Sequence, residues 1–359
     1  MQQGLRALFA LADGARVFSL LFVLMLSLVL SGCERAPAVH HLGGATMGTT
    51  WSVKVVGLPA GSGLADVQQD LQLILESINH QMSTYQADSE ISQFNQSEAG
   101  TSVALSPDFA QVLQYALRLA QETSGAYDPT VGPLVNLWGF GPDKTLLKRP
   151  SADTVAQAQQ RTGWQRIRLE TGVDGAASVV FQPGGAYLDL SSVAKGYAVD
   201  KLASYLNARQ LNDYLVEIGG ELRASGHKPD GTAWRVAVER PIPGVREVEK
   251  VLSLNNLSVA TSGDYRNFFE EAGETYAHII DPRTGYPVSH LTASVTVLAP
   301  TCAEADALAT ALTVLGPEDG LAFAQQRQLA VLFIVRTTEG FAERASPAFE
   351  QLRRAQQEH

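Results

Sequence analysis

Two oxygen-bearing side chains in an otherwise apolar segment are the best candidates in this sequence for holding a metal ion. After Pro300 the chain consists mostly of Ala, Leu and Val, which predicts a buried helix, yet Asp306 and Thr310 lie within it. Residues four apart share one face of a helix. A buried carboxylate needs a cation or several donors, and two hard oxygen ligands one turn apart suit Mg²⁺. A hydrogen bond between the two side chains fits the same spacing equally well.

A second segment, residues 188–197, is suited to bind an anion. A predicted strand enters it, and Asp189 or Ser191 is placed to cap the helix that leaves. The first amides of a helix are free and carry a partial positive charge. Lys195, one turn further, adds charge to the same end. The pattern also fits an ordinary capped helix with a surface lysine.

A third segment contains a possible general base. His278 lies at the start of a predicted apolar strand that stops at Asp281-Pro282. A histidine titrates near neutral pH and can therefore accept a proton during catalysis. A structural or surface histidine fits this position as well. Four further segments, rich in glycine and small polar residues, predict loops: 46–49, 82–85, 125–133 and 261–265.

The elements that must position these residues follow from hydrophobic spacing and capping residues. The pattern predicts helices over 64–78, 107–123, 151–161, 192–209, 302–315 and 318–327. It predicts strands over 50–56, 167–170, 179–182, 291–299 and 330–335, with a strand-rich stretch over 214–260. Thr301 and Glu304 have the spacing of a capping box. Because helices and strands do not alternate strictly, we expect an α+β layered fold of mixed or antiparallel sheets with flanking helices.

Composition excludes some classes of function. The formal net charge is −10, and no cluster of Lys and Arg is present to neutralise phosphates, which argues against a nucleic-acid-binding protein. The fingerprints G-x-G-x-x-G and G-x-x-x-x-G-K-[ST] are both missing, which disfavours an NAD-dependent enzyme.

The N-terminal segment predicts export and lipid anchoring. Residues 17–30 are almost entirely apolar, a run shorter than the roughly 20 residues that span a membrane. It ends at Leu30-Ser31-Gly32-Cys33, which resembles a bacterial lipobox. We therefore expect a signal peptide over 1–32, an acylated Cys33 beginning a tether over 33–42, one domain of two interlocked lobes over 43–340, and a polar tail over 341–359. An uncleaved anchor with an incidental cysteine is the alternative.

Taken in order, the segments resemble the ApbE family, the Mg²⁺-dependent FAD:protein FMN transferases. The resemblance runs from Thr46 to about Gly316 and rests on eight motifs. These are T-M-G-T-x-W at 46–51, M-S-x-Y-x-x-x-S-E-I-S-x-F-N at 82–95, G-x-Y-D-P-T-V-G-P-L-V at 125–135, D-L-S-S-V-A-K-G-Y-A-V-D at 189–200, E-I-G-G-E-L at 217–222, S-G-D-Y at 262–265, H-I-I-D-P-R-T-G at 278–285 and A-P-T-x-x-E-A-D-A-L-A-T at 299–310.

The resemblance implies a T-fold-like architecture with FAD in a cleft between the two lobes. It implies that FAD is bound by Met47, Tyr85, Tyr127, Asp128, Pro129, Thr130, Asp189, Lys195 and Ile280. It further implies that Mg²⁺ is held by Asp306, Thr310 and the hydroxyl or carbonyl of Ser192, and that His278 deprotonates the acceptor hydroxyl. Some members carry a further acidic residue where this chain has Ala309, so the metal here has fewer protein ligands or is held more weakly.

The implied reaction transfers FMN from FAD to a threonine or serine of a partner flavoprotein through a phosphoester bond, with release of AMP. Such partners are usually subunits of membrane redox pumps, which places the protein on a bacterial membrane, facing the periplasm from the inner membrane. Two alternatives stay open from the sequence. One is an FAD pyrophosphatase that releases free FMN, and the other is a lipoprotein that binds FAD without chemistry.

Overall fold

The computed structural model describes residues 37–58, 61, 63–142, 147–173, 178–245, 247–265 and 267–357. The predicted signal peptide and Cys33 lie outside these residues. From Ala38 onward the chain forms one compact unit, and its division into two lobes stays a prediction. Within the described ranges, none of the helices has the length and apolarity needed to cross a membrane.

Strands and helices are distributed along the whole described chain. The strands are β1 Val39–Thr46, β2 Thr49–Val56, β3 Ser102–Leu105, β4 Arg168–Glu170, β5 Ser178–Phe181, β6 Tyr214–Ile218, β7 Glu221–Ser225, β8 Trp234–Glu239, β9 Val248–Leu254, β10 Leu257–Gly263, β11 Phe268–Glu271, β12 Glu274–Ala277, β13 Ile280–Asp281, β14 Tyr286–Pro287, β15 Thr292–Ala299, β16 Ala330–Thr337 and β17 Gly340–Ala345. The helices are α1 Leu64–Met82, α2 Glu90–Gln96, α3 Pro107–Glu122, α4 Gly132–Leu137, α5 Ala152–Gln159, α6 Ser191–Ala208, α7 Cys302–Gln326 and α8 Pro347–Gln357.

The largest sheet holds eight strands in the order β1-β2-β6-β7-β10-β15-β16-β17, and its neighbouring strands are antiparallel. The strands β15 and β16 are buried almost throughout, because both faces of the sheet are covered. On one face Val295 and Phe333 pack in a core that includes α1, α6 and α7. On the other, Leu298 and Leu332 pack against the β8–β9 hairpin and α8. The predicted α+β class is confirmed, and the sheets are antiparallel.

Two predictions about the ends of the domain are wrong. The tether was expected to reach residue 42, but β1 begins at Val39, which pairs with Val56. The expected polar tail over 341–359 instead contains most of β17, which pairs with β16, and the helix α8. The helix α8 was missed because most of its residues are polar. Its Phe349 is almost fully buried, at 2% exposure. The short helices α2 and α4 were also missed.

Close contact between α6 and α7 positions the predicted metal-binding residues. A Cβ added at Gly196 would lie 2.3 Å from the carbonyl oxygen of Cys302, so only glycine allows this approach. The Asp200 carboxylate on α6 accepts hydrogen bonds from the amides of Cys302 and Ala303, at 3.0 and 2.9 Å. The Thr301 hydroxyl accepts one from the Glu304 amide, which is one half of the predicted capping box; the described residues show no return bond from the Thr301 amide to the Glu304 side chain. The start of α7 is therefore fixed against α6.

The predicted helices over 302–315 and 318–327 form two segments of α7. They meet at a kink at Gly316, whose φ of 79° is left-handed, and Pro317 follows directly. Glycine adopts this conformation without steric cost, and the kink ends the straight segment that carries Asp306 and Thr310.

Candidate active site

A cleft of about 630 Å³ brings most of the predicted site residues together. The residues that line it come from loops, from the start of α6, from the turn between β6 and β7, and from α7. Ten of the predicted residues are among them: Tyr85, Tyr127, Asp128, Asp189, Ser192, Lys195, His278, Ile280, Asp306 and Thr310. Segments separated by more than 200 residues in sequence thus meet in one site.

Three residues predicted to bind FAD are not among the described residues that line the cleft. Met47 occupies the turn between β1 and β2 with φ of 50° and packs against the main core. The Thr130 hydroxyl donates to the Asp128 carboxylate at 2.6 Å, and the Pro129 carbonyl accepts from the Asp189 amide at 2.8 Å. Thr130 and Pro129 thus bind two residues that line the cleft, Asp128 and Asp189. Contact of the three with FAD stays a prediction.

Asp306 is 5% exposed and is held by α6 rather than by its own helix. Its Oδ2 accepts a hydrogen bond from the Gly196 amide at 2.9 Å, and its Oδ1 lies 3.7 Å from Lys195 Nζ. No hydrogen bond joins Asp306 to Thr310 in the part of the chain that the structure describes, so the alternative interpretation of their spacing is wrong. Thr310 is half-buried and lines the same cleft. Both oxygen-bearing groups therefore face a space that can hold a ligand.

The charges around Asp306 are strongly coupled. Burial raises the pKa of Asp306, and the Lys195 ammonium opposes that shift. Burial alone would lower the pKa of Lys195, but Asp306 and Glu221 outweigh it and raise that pKa above its ordinary value. Lys195 is therefore a permanent cation at neutral pH, as the prediction of an anion site requires.

The start of α6 presents polar groups to the cleft. Asp189 Oδ1 accepts a hydrogen bond from the Ser191 amide at 2.9 Å, but the N-cap position is occupied by Leu190, so neither Asp189 nor Ser191 is the N-cap residue that the sequence predicts. Ser192 Oγ donates to the Tyr127 hydroxyl at 3.0 Å. Burial raises the pKa of Tyr127, which keeps that hydroxyl protonated. The Ser192 oxygen keeps its lone pairs available to a cation or a donor.

His278 is oriented as a general base. Its Nδ1 lies 3.1 Å from the carbonyl oxygen of Asn267, which also accepts from the His278 amide. A carbonyl can only accept, so the neutral ring carries its proton on Nδ1 and leaves Nε2 able to take one. Burial lowers the pKa of His278, against a smaller opposing effect of the Asn267 carbonyl, so the ring is neutral at pH 7. Phe140 packs edge-on against it, with ring centroids 6.2 Å apart.

Sequence reasoning placed His278 at the start of a strand, and the structure places it between β12 and β13, which begins at Ile280. It also missed several residues of the site. Glu221 belongs to a quoted motif but was given no role. Asn267 acts through its backbone, which leaves no sequence signal, and Phe140 resembles any core aromatic residue.

The oxygen donors in the cleft fit Mg²⁺. In the described ranges, no group of three or more His, Cys, Asp and Glu side chains is arranged to hold a metal. The available donors are one carboxylate, at Asp306, and the hydroxyls of Thr310 and Ser192. Mg²⁺ takes few protein ligands and fills its remaining positions with water and phosphate oxygens, so this sparse all-oxygen set suits it. Ala309 is 1% exposed in the main core and adds no donor.

Comparisons with known proteins agree on one family. The sequence profile of the ApbE family matches residues 47–333. The FAD:protein FMN transferase of Haemophilus influenzae is 45% identical, over 94% of this chain and 98% of its own length. The FAD:protein FMN transferase of Vibrio cholerae is 43% identical, over 90% of this chain and 95% of its own.

Solved structures give the same result. The flavin transferase ApbE from Vibrio cholerae superposes with a TM-score of 0.80 at 41% identity, covering 88% of this chain and 99% of its own. The apo form of the flavinyl transferase ApbE from Pseudomonas stutzeri has a TM-score of 0.80 at 39% identity, covering 89% and 98%.

Proposed function

The chain belongs to the ApbE family and is a flavin transferase, and from this premise we propose that it moves FMN from FAD to a threonine or serine hydroxyl of a partner flavoprotein. The product is a phosphoester, and AMP is released. The observation that carries the proposal is that one cleft holds both a neutral histidine with a free Nε2 and a buried carboxylate beside a hydroxyl group.

The proposed step is an in-line displacement at the phosphorus of the FMN half of FAD. A bond forms between that phosphorus and the acceptor oxygen, and the bond to the bridging oxygen breaks, so that AMP leaves with that oxygen. His278 Nε2 takes the proton of the acceptor hydroxyl. Lys195 and the Ser192 amide at the start of α6 hold the phosphates, since the Ser191 amide already donates to Asp189.

Asp306, Thr310 and Ser192 are the residues that would hold Mg²⁺. When bound there, the ion supplies neutralisation of the pyrophosphate charge, which is the principal catalytic effect in phosphoryl transfer. The burial of Asp306 supports this assignment, because a buried carboxylate is stabilised by a nearby cation. The Gly196 amide and Lys195 supply only part of that stabilisation.

The test is incubation of the protein with FAD, Mg²⁺ and a recombinant acceptor domain, followed by intact-mass measurement of the acceptor. We expect a gain of one FMN, and loss of that gain with His278→Ala and with Asp306→Ala. Free FMN with an unmodified acceptor would favour the pyrophosphatase, in which water replaces the hydroxyl. Intact FAD after long incubation would favour the binding lipoprotein.

The lipobox supports a second part of the proposal, that the protein is exported and anchored through Cys33 to the inner membrane, facing the periplasm. Its acceptor would then be a subunit of a membrane redox pump whose flavin domain faces the same side. Metabolic labelling with a radioactive fatty acid should label the wild-type chain and leave Cys33→Ser unlabelled. A wild-type chain that takes up no label would contradict lipid anchoring.

A further inference from the structure

One buried carboxylate in the cleft has no part in the mechanism above. Glu221 is the first residue of β7, is 5% exposed and lines the cleft. Its Oε1 accepts a hydrogen bond from Lys195 Nζ at 3.0 Å. Its Oε2 is buried without a hydrogen-bond partner among the described residues. Leaving a buried carboxyl oxygen unsatisfied is costly, so the position of Glu221 needs a reason beyond the stability of the fold.

Glu221 and Asp306 compete for the same ammonium group. Lys195 Nζ donates a hydrogen bond to Glu221 Oε1 at 3.0 Å and forms a longer ion pair with Asp306 Oδ1 at 3.7 Å. The other oxygen of Asp306 is already bonded to the Gly196 amide. Asp306 Oδ1 is therefore the oxygen left for a cation, and it is also the oxygen nearest to Lys195. Without Glu221, the Lys195 ammonium, whose side chain is 28% exposed, would have one remaining carboxylate to pair with.

The turn before β7 keeps Glu221 in place. Gly219 and Gly220 both have left-handed φ values, 62° and 109°, which return the chain from β6 to β7. Glu217 Oε1 accepts a hydrogen bond from the Gly220 amide, and its Oε2 accepts one from the Ser52 hydroxyl. A Cβ on Gly219 would lie 2.8 Å from Thr49 Cγ2. The backbone that presents Glu221 is thus fixed on both sides.

We propose that Glu221 is a positioning residue for the cation site. Glu221 keeps the hydrogen bond of Lys195 on itself rather than on Asp306, and so leaves Asp306 Oδ1 available to the divalent cation. The proposal rests on the proposed function, since it requires the cation at Asp306. Lys195 must bind the substrate phosphates and must also leave the metal ligand Asp306 free. The hydrogen bond to Glu221 allows Lys195 to do both.

The test is direct titration of the full chain with Mn²⁺ in place of Mg²⁺. Binding is measured by the decrease of the electron paramagnetic resonance signal of free Mn²⁺. Glu221→Gln keeps the shape of the side chain and removes its charge. We expect it to weaken Mn²⁺ binding by roughly tenfold or more, the loss typical when an outer partner of a metal ligand is removed. The double variant Glu221→Gln/Lys195→Met should regain wild-type affinity, because the competing ammonium is gone.

Glu239→Gln is the matched control. Glu239 lines the same cleft from β8, whereas the hydrogen bond and ion pairs of Lys195 go to Glu221 and Asp306. Its substitution should leave Mn²⁺ affinity within about twofold of wild type, since removing a charge that does not hold Lys195 leaves the balance between Lys195 and Asp306 unchanged.

The outcomes separate this inference from the proposed function. If Asp306→Asn binds Mn²⁺ as tightly as wild type, the metal site is elsewhere and both fail. If Asp306→Asn loses binding while Glu221→Gln keeps it, the inference alone is overturned. It is also overturned if the double variant stays as weak as Glu221→Gln, because the loss would then reflect a disturbed fold. Should Glu221→Gln fail to fold, Lys195→Met alone must bind Mn²⁺ at least as tightly as wild type, and weaker binding refutes the competition.

Discussion

Gly196→Ala sets two opposing effects against each other. In an ordinary helix interior the change stabilises the protein by about 1 kcal/mol, because alanine loses less conformational freedom than glycine. Here the added Cβ would lie 2.3 Å from the Cys302 carbonyl oxygen and 2.8 Å from Asp306 Cβ. Ordinary contact between such atoms begins near 3.4 Å. Because the carbonyl oxygen belongs to the backbone and cannot rotate away as a side chain would, α6 and α7 must separate by about 1 Å.

The separation should outweigh the helix propensity. Overpacking of a filled interior typically costs about 1–3 kcal/mol, and subtracting the gain of about 1 kcal/mol leaves a net destabilisation of up to about 2 kcal/mol. The same movement lengthens the 2.9 Å hydrogen bond between the Gly196 amide and Asp306. A displacement of about 1 Å at a reacting centre can reduce the rate by about 100-fold. We therefore expect a large loss of transfer rate in a protein that still folds.

The assay combines thermal unfolding with the rate of AMP release from FAD in the presence of acceptor. Ser204→Ala, at an exposed position of the same helix, is the control and should match wild type in both. A Gly196→Ala protein with a raised melting temperature and an unchanged rate would show that α6 and α7 have room for the methyl group, contrary to this prediction.

Two further predictions concern the base and the C-terminal helix. Because burial lowers the pKa of His278, the transfer rate should persist below the ordinary histidine pKa of about 6.5 and be lost only as the pH falls through the lowered value. A pH–rate profile in which the rate is already lost above pH 6.5 would contradict a lowered pKa for His278. Phe349→Ala should reduce the free energy of unfolding by about 3–5 kcal/mol, measured by urea unfolding, whereas Gln351→Ala, on the exposed side of α8, should change it by less than about 0.5 kcal/mol. Equal stabilities would show that α8 contributes nothing to the core.

The sequence was most informative where a pattern is long. The periodic segments that became α1, α3, α6 and α7 were predicted closely, because many apolar positions repeat in each. The short helices α2 and α4 span seven and six residues, too few for a period to emerge. The tail was misjudged because one buried side chain, Phe349, anchors a helix whose other residues are largely polar.

The site was predicted in type better than in detail. Asp306 was identified from local context, as a charge in an apolar helix, and the structure buries it beside the cleft. Its partners were not predicted, because Gly196 lies 110 residues away in sequence. The role of Glu221 depends on Lys195, which comes from another element, and the tautomer of His278 depends on a backbone carbonyl. Contacts of this kind arise from packing and leave no mark on local spacing.

Flavin transfer is distinguished from hydrolysis by counting both products of one reaction. The protein is incubated with FAD, Mg²⁺ and the acceptor domain, and AMP is measured by chromatography while the FMN-bearing acceptor is measured by intact mass. A flavin transferase predicts one AMP for each acceptor molecule that gains FMN, with free FMN at background throughout the time course. AMP that accumulates together with free FMN, while the mass of the acceptor stays unchanged, would contradict the account.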